Sequence, residues 1–562
     1  MAFQISPGVN VSEVDQTTVV PAVLTTAGAF AGNFTWGPAD EIVLVDNELT
    51  LVNRFGKPTD TTANSFFTAA NFLAYGNNLS VVRSVNANAR NAIANTISSA
   101  VLVKNDATFE QTYLFTDNLS TYGAFMAKCP GELGNSLKVS VCDNSSEFGT
   151  WTYAGYFQSA ANTSSQAEAA GGSYDELHIV VVDEDGKFTG TPGQVLETFG
   201  YLSKASDAML NGASNYYKQV LFNSSQYVYA VDPVDYSNTY TTWGKTANTT
   251  FARCGTINRS LDSGVDSAPS AGDQQTSFDL FANKDTTDIS LILTGAAPTS
   301  VSGHVISSIA ATRKDCVAFV SPSYASVVNN AGSETTAVAS WLSSLNAYSS
   351  YGVADSGWKY QLDKYNNVYR WVPLNGDVAG LCVNTDTTRD PWFSPAGFNR
   401  GSIKNCIKLS WNPTKTQRDV LYAAGVNPVV TFPGQGAVLF GDKTLLNKPN
   451  AFDRINVRRL FIVLEKAIAQ AAQSSLFELN DEFTRAQFTA LVTPFLRDVQ
   501  GRRGITDFKV VCDTTNNTPQ VIDSNQFVGD IYIKPARSIN FIQLNFVAVG
   551  TGVDFTTVVG VV

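Results

Sequence analysis

Residues 28–45, GAFAGNFTWGPADEIVLV, read as strand-forming sequence. They are followed by a helix-like stretch, NSFFTAANFLAYG at 64–76, and a second strand, LSVVRSV at 79–85. Apolar runs of strand length on either side of a helix-length segment mark the start of a βαβ-type core. From about residue 88 to residue 300 the texture changes to Ser, Asn, Thr, Gly and Tyr between short strands such as LKVSVCD (137–143) and ELHIVVVDEDGKF (176–188), the pattern of a β-rich insert. Strong α/β signals then return in SLILTGA (290–296), SGHVISSIAATRKDCVAFVSP (302–322) and AVASWLSSLNAYSS (337–350), so the interrupted core resumes. The expected fold class is therefore α/β (α+β) and multidomain: a discontinuous mixed-sheet core with a β-rich inserted outer domain and extended N- and C-terminal arms.

The last third contains an amphipathic helix between Asp453 and Gln473, with Leu460, Phe461, Leu464, Ala467, Ile468 and Ala471 at spacings of three and four and Asp453 in place as N-cap. A second helix, DEFTRAQFTALVTPFLRDVQ (481–500), precedes three strand-like segments, FKVVCD (508–513), DIYIKP (530–535) and INFIQLNFVAV (539–549). The two ends read as arms: MAFQISPGVNVSEVDQTTVV, with Val9 and Val11 alternating with polar residues after a Ser6-Pro7-Gly8 break, and the apolar TGVDFTTVVGVV at 551–562.

Length and composition exclude several classes. A chain of 562 residues exceeds one ordinary core and points to two to four domains. Hydrophobic residues at 44% and charged residues at 15% describe a folded protein. A net charge of -11 argues against a surface built to neutralise phosphates, and so against nucleic acid or an anionic membrane as partner. With neither a signal-like opening nor an apolar run near the roughly 20 residues that cross a bilayer, the expectation is a soluble protein made in the cytoplasm. Seven scattered cysteines, an odd number without a CxxC pair, suit neither a disulfide framework nor a zinc site and read as buried thiols.

Catalytic and ligand motifs are weak throughout. His178 and His304 are the two histidines, and neither has a metal-ligating neighbour at useful spacing, so both read as structural. GAVLFGDKT (436–444) comes within one residue of GxxxxGK[ST], but Asp442 occupies the lysine position and would repel phosphate; a strand ending in a Gly turn is the simpler reading. VVDEDGKF (181–188) supplies two acidic positions of a calcium loop, Asp183 and Asp185, but puts Phe188 where the turn glycine belongs; Asp185-Gly186 reads better as a hairpin turn. No GxSxG elbow occurs. Neither a cofactor nor a metal is expected, and no enzyme. Arg454, Arg458 and Arg459 form a cluster whose default reading is a solvated helix face and whose functional alternative is contact with an acidic neighbour.

One set of segments, in order, carries a family resemblance: SPGVNVSEVD, FAGNFTWGPADEIVLV, NRFGKP and FLAYGNNLSVVRSV near the start. Next come CPGELGNSLKVSV, RKDCVAFVSP, DKYNNVYRWVPLNGDVAGLC, SPAGFNRG and GVNPVV, and finally FDRINVRRLF, FELNDEFTR and VVCDTTNNTPQVIDSNQFVGDIYIKPARSINFIQLNFVA. These resemble the contractile tail sheath proteins of myoviruses of the T-even type. Larger members carry an extra protruding domain between segments that correspond to VVRSVN and CPGELGN; here only the stretch 87 to 129 lies between them, so that outermost domain is expected to be missing.

The resemblance implies a non-enzymatic subunit that polymerises helically around a tail tube and contracts to drive the tube through the host envelope. Implied partners are further copies of the chain, the tail tube protein, and baseplate and tail terminator proteins, in a virion tail assembled in the host cytoplasm. It also implies that residues 1–20 and 540–562 add strands to neighbouring subunits, with Val9, Val11, Phe555 and Val558 as inter-subunit residues. Arg454, Arg458 and Arg459 become candidates for subunit or tube contact. The implied domains are 1–20 (N-terminal arm, joining the inner domain), 21–87 plus 301–395 (middle α/β domain), 88–300 (outer insert) and 396–562 (inner domain). Rival readings are the sheath of a type VI secretion or bacteriocin-like machine, a tail-associated glycan depolymerase, and an adhesin or surface-layer protein.

Overall fold

The computed structural model describes residues 23–94, 101–114, 123–233, 241–540 and 543. Packing divides the chain into two units, Met1–Leu479 and Asn480–Val562. The first is organised around a seven-stranded sheet in the order Val426–Asn427, Gly352–Asp355, Val317–Val320, Leu291–Leu293, Gly28–Gly32, Leu79–Arg83, Ile42–Val45. All neighbours are parallel except Ile42–Val45, which runs antiparallel to Leu79–Arg83. Gly28 pairs with Leu291 on one side and Leu79 on the other, so sequence from both sides of the insert meets at the sheet centre and the core is discontinuous, as expected.

Central parallel strands are covered on both faces and need apolar side chains in succession. Gly28–Gly32, Leu291–Leu293 and Val317–Val320 are buried at every position. Helix Ala63–Leu73 lies against Gly28–Gly32 so closely that a Cβ at Gly28 would stand 2.6 Å from the Phe72 ring, which requires glycine there. The 28–45 segment is not one strand. It breaks after Gly32, and its second half returns as the antiparallel edge, followed by helix Glu48–Phe55, whose N-terminus Asn47 caps by accepting from Thr50 N at 2.8 Å.

The insert is β-rich. One antiparallel sheet runs Thr256–Ser260, Leu137–Cys142, Glu176–Asp183, Gln194–Ser203, and a second joins Val228–Ala230, Phe125–Pro130 and Asn91–Ile93. The hairpin expected at Asp185-Gly186 exists, but its strands are joined by residues 184–193 rather than by a two-residue turn. Asp183 holds that loop by accepting from the amides of Phe188 (3.0 Å) and Thr189 (2.8 Å) at one oxygen and from the Ser136 hydroxyl (2.6 Å) at the other, so both oxygens are committed within the protein.

Two expectations for the last third need correction. The amphipathic helix begins at Ile455 and runs to Ala472, with Arg454 at the N-cap and no side-chain cap bond; Asp453 ends a short 3-10 turn, Ala451–Asp453. Leu460, Leu464, Ala467 and Ala471 are buried as their spacing predicts. Strand Val426–Asn427, expected in the inner domain, forms the edge of the central sheet by pairing with Ala354 and Asp355.

The second unit consists of helix Glu482–Gly501, capped by Asp481 through Thr484 N at 2.8 Å, and a hairpin of Ile505–Val511 with Asp530–Pro535. Phe488 on the helix meets Phe527 edge-on with ring centroids 5.4 Å apart. The arms, including Val9, Val11, Phe555 and Val558, and most of the expected strand 539–549 lie outside the described residues.

Candidate functional site

Doubly wound sheets bind ligands beyond the carboxyl ends of their strands, where the strand order reverses. Here that point lies between Gly28–Gly32 and Leu291–Leu293, and the start of helix Asn375–Thr388 fills it. Asn375 Nδ2 donates to Gly295 O (2.8 Å) and Ser321 Oγ (2.9 Å), and its Oδ1 accepts from Gly295 N (3.0 Å). Ser321 Oγ in turn donates to Asp355 Oδ2 at 2.6 Å, and Gly357 N donates to Asp355 Oδ1 at 2.9 Å. Burial pushes the Asp355 carboxyl up to about 8 against the pull of these bonds. Two residues into the helix, Asp377 meets Lys359 at 2.9 Å with both side chains fully buried. A Cβ on Gly376 would stand 2.5 Å from Thr68 O, so the plug is tight. The crevice is closed by the protein's own polar groups.

The motif-like segments are structural as well. Gly436–Leu439 is a strand paired with Val429–Phe432, and Asp442 is buried against Arg454 at 3.0 Å and Tyr422 OH at 3.2 Å. His178 stacks on Phe157 (centroids 4.2 Å apart), lies 2.9 Å from Ser159 O through Nε2, and accepts from Tyr201 N at Nδ1. Burial lowers its pKa, which keeps the ring neutral. His304 Nε2 lies 2.6 Å from Asp279. The seven cysteines are unpaired thiols, five of them buried.

The arginines do not form a solvated face. Arg459, 4% exposed, makes a bidentate pair with Asp386 (2.8 and 2.5 Å) and reaches Cys382 O and Thr25 O at 3.4 Å. It thereby ties helix Ile455–Ala472 to helix Asn375–Thr388 and to the start of the described chain. Burial opposes its charge, and Asp386 more than offsets that, so its pKa is raised. Arg458, 6% exposed, is sandwiched between Phe452 (4.0 Å to the ring centroid) and Tyr351 (4.3 Å), and its Nε has no partner among the described residues. Burial lowers its pKa. Arg454 pairs with Asp442 at 3.0 Å, donates to Tyr422 OH, and keeps about a fifth of its side chain exposed (21%). Arg454 and Arg459 thus have acidic partners within the subunit. Asp386 stands 73 residues from Arg459, beyond any local spacing pattern.

The C-terminal hairpin is one of three two-stranded sheets among the described residues, with those of Met209–Leu210 and Val429–Phe432, and its strands are the longest of the three. Ile505–Val511 pairs with Asp530–Pro535 from Ile505↔Pro535 to Val511↔Asp530, and among the described residues neither strand has a second partner. Tyr532, Lys534, Asp507 and Lys509 are exposed, with Lys534 and Asp507 2.9 Å apart across the strands. A two-stranded ribbon leaves one row of N–H and C=O groups unpaired on each outer edge, the template that strand addition uses.

The chain matches the phage tail sheath protein central domain over residues 275–445, the phage tail sheath C-terminal domain over 447–548, and the tail sheath protein Gp18 domain III N-terminal region over 25–83. It is 33% identical to the tail sheath protein of Vibrio phage KVP40 and 34% identical to that of Enterobacteria phage T4, in alignments covering 99% of this chain and 100% and 99% of those proteins. The chain belongs to the phage tail sheath family. Those alignments extend over 687 and 668 positions against 562 residues, so both relatives carry long stretches without a counterpart here. The fold is also that of the sheath tail protein of Listeria innocua (TM-score 0.52, 12% identity, 92% of this chain and 96% of that one). The contracted helical sheath of the anti-feeding prophage is similar to the same degree (TM-score 0.52, 14% identity, 97% and 99%).

Proposed function

We propose that this chain is the repeating, non-enzymatic subunit of a contractile tail sheath, held in a helical lattice by strand addition at the C-terminal hairpin. The observation that carries the reading is the pair of open edges on Ile505–Val511 and Asp530–Pro535 in a chain whose crevice is plugged. Residues 1–20 of one neighbour and 540–562 of another supply the added strands, with Val9, Val11, Phe555 and Val558 setting register. An arm making roughly 4 to 6 ladder bonds at a net of about 0.5–1.5 kcal/mol each contributes very roughly 2–9 kcal/mol before ordering costs. One link of that size is modest. A non-closing contact repeated along a helix makes a stable filament, and flexible ties let rigid bodies rearrange together on contraction.

In this reading the hairpin unit faces the tail tube protein, and the ends of the sheath meet the baseplate and the tail terminator in a virion tail assembled in the host cytoplasm. Arg454, with exposed surface, is the member of its cluster suited to subunit or tube contact; Arg458 and Arg459 support its helix from within. Hydrogen exchange tests the strand addition. Outward-facing amides of residues 505–511 and 530–535 are expected to exchange at least about tenfold more slowly in assembled sheath than in dispersed subunits. Equal rates in both states would remove strand addition at this hairpin from the account.

A further inference from the structure

Phe398, Phe432 and Phe440 form a surface cluster, with centroids 5.2 Å apart for Phe398–Phe432, 5.1 Å for Phe432–Phe440 and 6.0 Å for Phe398–Phe440. Phe398 is 52% exposed and Phe440 41%. The Arg418 guanidinium lies 5.7 Å from the Phe432 centroid and 5.9 Å from that of Phe440. Its hydrogen bond is to Pro413 O, and it pairs with no carboxylate among the described residues. Three aromatic rings beside an uncommitted guanidinium have the composition of a binding hot spot.

A second patch has the opposite charge. Leu476, Phe477 and Leu479 are all strongly exposed, Phe477 fully so (105%), and Glu478 between them pairs with no cation among the described residues. Phe477 has φ +69°, a left-handed backbone that a bulky residue adopts at a cost and that here leaves the ring in water. A partner that covers the segment removes the exposed ring from water.

We propose that the Phe398–Phe432–Phe440 cluster with Arg418 receives the segment Leu476–Leu479 of a second copy of this chain, Phe477 entering among the rings and Glu478 meeting Arg418. This rests on the sheath reading and adds to it a contact that uses side chains and not the terminal arms. The two patches differ, so the contact is head-to-tail and does not close on itself, as a helical lattice requires. Apolar area supplies affinity, and the charge pair sets the partner's orientation.

The test mixes full-length Asn399→Cys with full-length Ser475→Cys, positions beside the two patches that leave their rings in place, and joins them with a short bis-maleimide, using the unmodified chain as control for Cys254 and Cys406. The expected result is a cross-linked dimer in the mixture that neither variant gives alone. Arg418→Glu in the first partner or Glu478→Arg in the second lowers its yield at least about tenfold, and both together restore it. Tubes of tail-like diameter that form without this cross-link, or whose cross-link ignores the single reversals, overturn the contact and leave the sheath reading standing. A cross-link that mass spectrometry assigns to a terminal arm or to a tube protein overturns it too. So does an absence of any self-association at low salt, since the contact needs no other component.

Discussion

Replacing Arg459 with methionine is expected to lower the unfolding free energy of the first unit by about 3–5 kcal/mol, measured by urea denaturation. The size follows from what is left behind. Asp386 is 4% exposed on its side chain, and its two oxygens receive the two guanidinium nitrogens at 2.8 and 2.5 Å. Without Arg459 that carboxylate keeps its desolvation and loses its counter-charge. The same substitution also releases Cys382 O and Thr25 O, and with them the link between helices Asn375–Thr388 and Ile455–Ala472. The double variant Arg459→Met with Asp386→Leu removes both charges and should recover most of the loss, because an apolar pair of similar volume carries no desolvation. A loss below about 1 kcal/mol in the single variant would mean that the pair is solvated and that the helix is held by its apolar face alone.

A second loss of about 3–5 kcal/mol is expected for Lys359→Met at neutral pH, and this one depends on pH. Lys359 and Asp377 are both fully buried, and Lys359 also donates to Lys404 O at 2.8 Å. Burial already raises the Asp377 pKa, while Lys359 pulls it down. With the lysine gone, Asp377 holds its proton in the folded chain at pH values where the unfolded chain has released it. The folded state then binds more protons than the unfolded state above about pH 4, so stability falls as pH rises. Below about pH 4 both states are protonated, and only the packing loss remains. Denaturation midpoints of the variant at pH 4 and pH 8 should therefore diverge more than those of the parent chain. A pH-independent difference would show that Asp377 finds another cation.

The α/β class could be read from the chain because its core strands are local and apolar. Gly28–Gly32, Leu79–Arg83 and Leu291–Leu293 each carry their burial in their own composition, and the polar texture that begins near residue 88 separates insert from core, although the core resumes at Leu291 and not after residue 300. Direction was not legible. The segment 28–45 contains a central parallel strand and an antiparallel edge strand, and nothing in its composition distinguishes them. The burial of Arg458 and Arg459 is illegible in the sequence for a related reason. Helical spacing places Arg454, Arg458 and Arg459 near one another, but their environment is set by Asp442, Asp386, Tyr351 and Phe452, which come from other segments. Asp453 lost the N-cap because a 3-10 turn absorbs it and the helix starts one residue past Arg454. The open hairpin was legible as two strands, but its two free edges are a property of the fold and appear only once the pairing is known.

Electron microscopy of the intact chain beside a chain that lacks residues 541–562 tests the central claim most directly. The account predicts long striated tubes of tail-like diameter from the intact chain and none from the shortened one, with both equally folded by circular dichroism. Tubes from both chains would contradict it, because the lattice would then hold without the C-terminal strand that the open hairpin is proposed to receive.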